Sequence, residues 1–306
     1  NCNLMTDNNN FDVIIVGGSY SGLASGMALG RALKKVLIID SGKPCNKQTP
    51  QSHNFLTHDG DNPIEIIAVA NLQVSNYPSV KFFDGLAVAG TKTENGFEII
   101  VETGERFASG KIIFATGIKD ILPGIDGFKE CWGISVLHCP YCHGYEVRQE
   151  KTGILANGDW AFDLTRLISN WTNNLTLFTN GPAALTNEQN EQFKKHHICI
   201  EEREIESIAH KNGYIESIVF RDGAATNLKA IYAYTTFIQH SKIPEMLGCD
   251  LTEDGYLRTD PSQETTVKGV YACGDNTSRM CTVANAVGMG TATGIAVSKK
   301  LIVEHF

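Results

Sequence analysis

Residues 11–22 read Phe-Asp-Val-Ile-Ile-Val-Gly-Gly-Ser-Tyr-Ser-Gly, and residues 36–40 read Val-Leu-Ile-Ile-Asp. Phe11–Gly17 is a β-branched run that predicts a buried strand, and Leu23–Leu33 has helical spacing. Val36–Asp40 predicts a second strand, which makes a βαβ unit and a parallel sheet covered on both faces. Gly17-Gly18-Ser19-Tyr20-Ser21-Gly22 falls between the first strand and its helix. Gly17 permits the tight turn, Gly22 permits close helix–strand packing, and the helix start offers free N–H groups to a pyrophosphate. Ser19 takes the middle position of the G-x-G-x-x-G pattern, where a small residue still lets the backbone approach. Asp40 ends the next strand 23 positions after Gly17, where a carboxylate can bind a ribose diol.

Outward from this unit, Val80–Phe107 alternates apolar and polar residues around Asp84-Gly85 and Asn95-Gly96, which predicts an antiparallel meander. Lys111–Thr116 returns to a buried strand. A second βαβ pattern starts at Thr152–Asn157, continues with helical spacing over Ala161–Trp171 and has a strand at Leu175–Thr179. Val270–Cys273 predicts another buried strand, and Thr282–Leu301 a long helix of small residues. The expected fold is α/β, with two Rossmann-like, three-layer (ββα) nucleotide-binding domains, the second inserted in the first. The first spans 11–119 and 241–306, the insert 120–240.

The bulk properties narrow the function. The chain has 306 residues, and its 26 basic against 34 acidic side chains leave a net charge of -8 with no Lys/Arg run. That argues against a nucleic-acid partner. No apolar run approaches the roughly 20 residues of a membrane span. Nine cysteines, an odd number in a long chain with no signal-peptide pattern, point to a reducing cytoplasm and not to a secreted disulfide framework. Residues 1–10 show no periodicity, and Met5 reads as the natural start, so they are set aside.

Two further pieces select a flavin. Ala115-Thr116-Gly117 closes the strand after the meander. Gly274-Asp275 ends the strand directly before the last helix, where the Asp can hold the sugar-alcohol chain of a flavin and the helix start can support its electron-rich edge. Cys139-Pro140-Tyr141-Cys142 then supplies a C-x-x-C, followed by His143-Gly144-Tyr145-Glu146. Two thiols at this spacing can close a small-ring disulfide, and His143 can exchange a proton with one of them. The other reading is a zinc knot of Cys139, Cys142 and His143 with Cys131 or His138, but no second ligand pair follows at the usual distance.

In this order, the motifs resemble the low-molecular-weight thioredoxin reductase family of flavin disulfide oxidoreductases over residues 11–306. The resemblance implies FAD as cofactor, an inserted pyridine-nucleotide-type domain carrying the C-x-x-C, no metal, and a homodimer. It makes Cys142 the flavin-proximal thiol and Cys139 the exchanging thiol. It places the flavin contacts at Gly17, Ser19, Tyr20, Ser21, Gly22, Asp40, Ser41, Asn46, His53, Asn54, Thr116, Gly117, Gly274, Asp275, Thr282 and Val283.

The departures from that family are informative. His143 stands where the reductases have Asp. The insert's nucleotide loop reads Ala156-Asn157-Gly158-Asp159-Trp160-Ala161, with a Cβ at the tight turn and bulk at Trp160. No arginine occurs from 167 to 202, where an NADPH 2′-phosphate would be gripped. With Pro44-Cys45-Asn46, Ser52–Thr57, His143–Glu146 and Gln239-His240, these features are similar to the gliotoxin- and holomycin-type dithiol oxidases. That branch implies a small dithiol as electron donor and oxygen as acceptor. The alternatives are a disulfide reductase driven by NAD(P)H or another donor, acting on a small disulfide or a thioredoxin-like protein, and a non-catalytic flavin redox sensor.

Overall fold

The computed structural model describes residues 9–306, so the reading of Met5 lies outside the described residues. The chain forms two compact units. One comprises the described residues up to Lys47 together with Asn54–Lys119 and Phe237–Phe306. The other comprises Gln48–His53 and Asp120–Thr236. The chain passes back to the first unit at 236/237, and a short segment at Gln48–His53 belongs to the second unit.

The first unit opens with β1 (Asn10–Val16), α1 (Tyr20–Arg31) and β2 (Val36–Asp40), then α2 (Pro63–Ser75) and β3 (Val80–Asp84). β4 (Ala87–Thr93), β5 (Gly96–Val101) and β6 (Arg106–Phe114) follow as an antiparallel meander. β3 is not part of that meander: it pairs in parallel with β2, Ile38 opposite Phe82. Asp84-Gly85 is therefore an exit from the parallel sheet and not a hairpin. The reason is α2, which carries the chain back over one face so that β3 enters in the same direction as β2. Asn62 caps this helix through Oδ1 and the Ile64 amide, with Pro63 at its first position.

In the second unit come β7 (Ile118–Ile121), which straddles the boundary between the units, α3 (Phe128–Cys131), β8 (Val136–Leu137), α4 (Pro140–His143), β9 (Thr152–Leu155), α5 (Asp159–Ile168) and β10 (Leu175–Phe178). α6 (Asn187–Lys195), β11 (Cys199–Glu201), β12 (Ile205–Lys211), β13 (Tyr214–Phe220), β14 (Ala225–Asn227) and β15 (Ala230–Ala233) follow. A parallel sheet runs β11-β10-β9-β15-β8, and β12–β14 form a separate antiparallel sheet. Along β15, Ile231 and Ala233 enter the core shared with β12–β14, whereas Ala230 and Tyr232 enter the core shared with α5 and α6. The alternation is the period of two that a strand imposes.

β16 (Thr236–Gln239) leads back to the first unit, which ends with α7 (Ile243–Met246), β17 (Val270–Ala272) and α8 (Val283–His305). β17 pairs in parallel with β6, on the edge opposite β1. Ile14, Val16, Ile39, Phe114 and Val270 bury one face against the meander. Val13, Ile15, Ile38, Ile113 and Tyr271 bury the other against α1 and α8. α8 lies close on α1: a Cβ at Gly290 would stand 2.1 Å from the Ser21 carbonyl oxygen, and one at Gly294 2.7 Å from that of Ser25. The Ser25 hydroxyl donates to the Gly290 carbonyl at 2.8 Å, fixing the approach. Among the described residues no helix is long and apolar enough to cross a membrane.

Candidate active site

The glycine loop joins β1 to α1 in the first unit. Gly17 has φ +105, and a Cβ there would lie 2.3 Å from the Ala115 carbonyl oxygen; at Gly22 it would lie 1.9 Å from the Gly17 oxygen. Only hydrogen fits at either position. Asp40 Oδ1 accepts the Gly18 amide at 3.0 Å, so this carboxylate also braces the loop. Ser19 caps α1 with extended backbone and no side-chain capping bond. Ser21 packs inward: its hydroxyl donates to the Cys273 carbonyl at 3.4 Å, and a Cβ on Gly274 (φ +87) would lie 2.6 Å from that hydroxyl. The loop, Gly274 and the start of α8 are thus brought together around Ser21.

Tyr20 is buried, accepts from Asn46 Nδ2 and donates to the Pro63 carbonyl, both at 3.3 Å. Gly117 has φ +63, and open space surrounds its Cβ direction. Thr282 caps α8 through the Asn285 amide, Val283 packs on Tyr20, and Asp275 is half-buried. Ser41 and Asn54 are exposed, Asn54 being tied by its amide to Asp59 Oδ1 at 2.7 Å. His53 belongs to the other unit, beside Glu146 and His143.

Two residues outside the expected flavin contacts join this set. Asn276 is fully buried and donates to the Phe114 carbonyl and to Thr116 Oγ1 at 2.9 and 3.4 Å. Gln239 donates to the carbonyls of Gly255 and Asn276 at 2.8 and 3.0 Å. The Asn46 Oδ1, Gln239 Oε1 and Asn276 Oδ1 atoms are buried acceptors with no hydrogen-bond partner among the described residues. A cofactor rich in N–H and O–H donors satisfies such acceptors. With the glycine cradle, these residues fit FAD. Uncharged buried amides leave little signal in a sequence, although the Asn directly after Gly274-Asp275 was a cue.

In the second unit Cys139 caps the start of the one-turn α4 and Cys142 lies within it, and the Cys142 thiol donates to Cys139 Sγ at 2.7 Å. That bond holds the Cys139 pKa down to about 7, with the amides of Cys142 and Tyr141 assisting and burial opposing. Near neutral pH, Cys139 is therefore substantially thiolate, the form that attacks or leaves in exchange. The His143 ring stands edge-on to that of His53, centroids 6.4 Å apart, and His53 Nε2 lies 3.6 Å from Glu146 Oε1. Burial, then the charges of His138 and His53, push the His143 pKa to about 4. Among the described residues, no group of three His, Cys, Asp or Glu side chains is arranged to hold a metal. Cys131 is buried in the core between Phe128 and Val136.

The loop after β9, where a second dinucleotide would bind, is closed on itself. Asn157 Oδ1 accepts the amides of Gly158 and Ala184 at 2.9 and 2.7 Å, and its Nδ2 donates to the Pro182 carbonyl at 2.9 Å. Asp159 brings a carboxylate into the first turn of α5. Trp160 and Tyr234 stack at 4.4 Å and 14° beyond the ends of β9 and β15, the crevice where ligands of parallel sheets sit. The flanking arginines are engaged: Arg166 with Asp163, and Arg203 with Glu201 and Asp222.

Comparison with known proteins adds to this geometry. The pyridine nucleotide-disulphide oxidoreductase family matches residues 11–290. Thioredoxin reductase tcpT of Claviceps purpurea is 30% identical over 311 residues, covering 98% of this chain and 97% of the relative. The crystal structure of the oxidoreductase from Agrobacterium tumefaciens superposes with a TM-score of 0.90 at 35% identity, covering 96% of this chain and 99% of that one. The crystal structure of HlmI gives 0.92 at 27% identity, covering 98% and 95%.

Proposed function

The chain belongs to the pyridine nucleotide-disulphide oxidoreductase family and is a flavin-dependent disulfide oxidoreductase with FAD as its cofactor; from that premise we propose that it oxidises a small-molecule dithiol to a disulfide, with oxygen as the final acceptor. The observation that carries this reading is the self-closed loop of the second unit. Asn157 already occupies amides that a pyrophosphate would need, and Asp159 adds a negative charge at the same helix start.

Bound FAD would supply the two-electron acceptor for the cysteine pair and the route from there to oxygen. The chain's own residues do the rest. In the oxidised state, Cys139 receives the substrate thiolate and Cys142 leaves. Its depressed pKa makes Cys139 a good leaving group when the product disulfide closes. His143 is neutral at working pH and can accept a thiol proton, but burial makes it a weak base, so the pH profile follows Cys139. Gly17, Gly22, Asp40 and Gly274 shape the FAD cradle, and Asn46, Gln239 and Asn276 supply buried acceptors for it.

The printed name of the Claviceps relative favours a second reading, reduction of a thioredoxin-like protein. Anaerobic mixing separates the two. A small dithiol should bleach the flavin quickly, and admitted oxygen should restore the yellow colour with one hydrogen peroxide per dithiol. Flavin that stays yellow with dithiols but bleaches with a nicotinamide donor would put the reductase first. Cys139→Ser should show a long-wavelength thiolate band from Cys142, and Cys142→Ser should abolish electron flow; full turnover in either variant would refute the assigned roles.

A further inference from the structure

Tyr232 has no part in the chemistry above. It sits in β15 opposite Leu137, two residues before Cys139, and opposite Ile154 on the other side. Its ring packs with those two residues and is 1% exposed. The hydroxyl is buried and meets no hydrogen-bond partner among the described residues. Buried phenols almost always find an acceptor, because desolvating an O–H without one is costly. The charges that act on this hydroxyl are those of Cys139, Glu146 and Cys142, with Glu146 in turn beside His53. Together with burial they hold the phenol protonated far above neutral pH, so it can only donate. The structure thus leaves a buried donor on the strand paired with the one that leads into Cys139, and a thiolate at Cys139 would be a strong acceptor for it.

We propose that Tyr232 is a positioning residue for thiol–disulfide exchange, its hydroxyl donating a hydrogen bond to the Cys139 sulfur when that sulfur is a thiolate. This deepens the function proposed above and rests on Cys139 being the exchanging sulfur. A substrate thiolate attacks Cys139 Sγ, the Cys139–Cys142 bond breaks, and Cys142 leaves with the bonding pair. The second substrate thiolate then attacks the substrate sulfur bound to Cys139. The product disulfide forms, and Cys139 departs as thiolate with that bonding pair. The substrate is oxidised by two electrons and the cysteine pair reduced by two. The two substrate protons pass to water, and Tyr232 keeps its own.

The test uses the full-length flavoprotein without substrate. Iodoacetamide alkylation of Cys139 is followed against pH in Cys142→Ser and in Cys142→Ser with Tyr232→Phe. Loss of one charge-assisted hydrogen bond should move the alkylation midpoint up by about one pH unit. The melting temperature should hold or rise, because phenylalanine keeps the packing and removes an unpaired hydroxyl. An unchanged midpoint overturns the proposal. So does a lower melting temperature, which would mark a structural hydrogen bond instead. Failure of the proposed function would show separately, as turnover retained in Cys139→Ser.

Discussion

At Gly17 the backbone itself decides which residue can stand there. With φ at +105 and the Ala115 oxygen 2.3 Å from any Cβ, alanine must both adopt a strained backbone and displace the neighbouring strand. Gly17→Ala should cost at least about 3 kcal/mol and abolish FAD retention. A variant with full flavin content and an unchanged melting midpoint would contradict this. His143 makes a pH prediction. Its folded pKa of about 4 lies below the unfolded value near 6.5, so below 6.5 the unfolded chain binds the extra proton. The His143 contribution to stability should be flat above about pH 6.5 and fall as pH drops toward 4, by up to about 3 kcal/mol. His143→Asn should flatten that fall in denaturant titrations at pH 7 and 4.5; an undiminished loss would place the titration elsewhere. At this scale, glycines and cysteines were legible in the sequence because their chemistry is tied to local spacing. His53 was not: only the folded chain brings it to Glu146 and His143.

Among the elements, legibility followed local signals. The strands and helices of both βαβ units appear within a few residues of their expected bounds, since periodicity and turn chemistry agree there. β3 was misassigned because an alternating five-residue strand has the same pattern whether its neighbour is parallel or antiparallel; pairing is set by α2, whose Asn62-Pro63 start was the overlooked cue. The small-residue run in α8 announced a helix but not its purpose. That purpose is contact with α1 at Gly290 and Gly294, where the added Cβ would strike backbone atoms that cannot rotate away. Gly290→Val should therefore separate α8 from α1 and cost roughly 2–4 kcal/mol, more than the gain in helix propensity returns. Urea titration would show this directly, and a stabilised variant would mean that the helices shift apart freely.

For the whole molecule, the sequence suggested one dinucleotide cradle in working order and one altered, and on the proposed function the alteration would set the choice of reductant. With no arginine from 167 to 202, and with Arg166 and Arg203 held by acidic partners, a 2′-phosphate lacks the charge-assisted contacts worth roughly 1.5–3 kcal/mol each. Two missing contacts weaken binding by about two to four powers of ten, at roughly 1.4 kcal/mol per decade. NADPH should accordingly bleach the flavin very slowly and show no marked advantage over NADH. Asn157→Gly with Trp160→Ala should open the loop and its stacked pair, yet leave NADPH ineffective, because Asp159 stays at the start of α5 and no cation is added. Adding an arginine in the 177–182 stretch to that background should then favour NADPH over NADH. The readout is anaerobic stopped-flow absorbance of the flavin. Rapid, saturable bleaching of the unaltered protein by micromolar NADPH would show that other residues bind the phosphate and would make a nicotinamide-driven reductase the better reading.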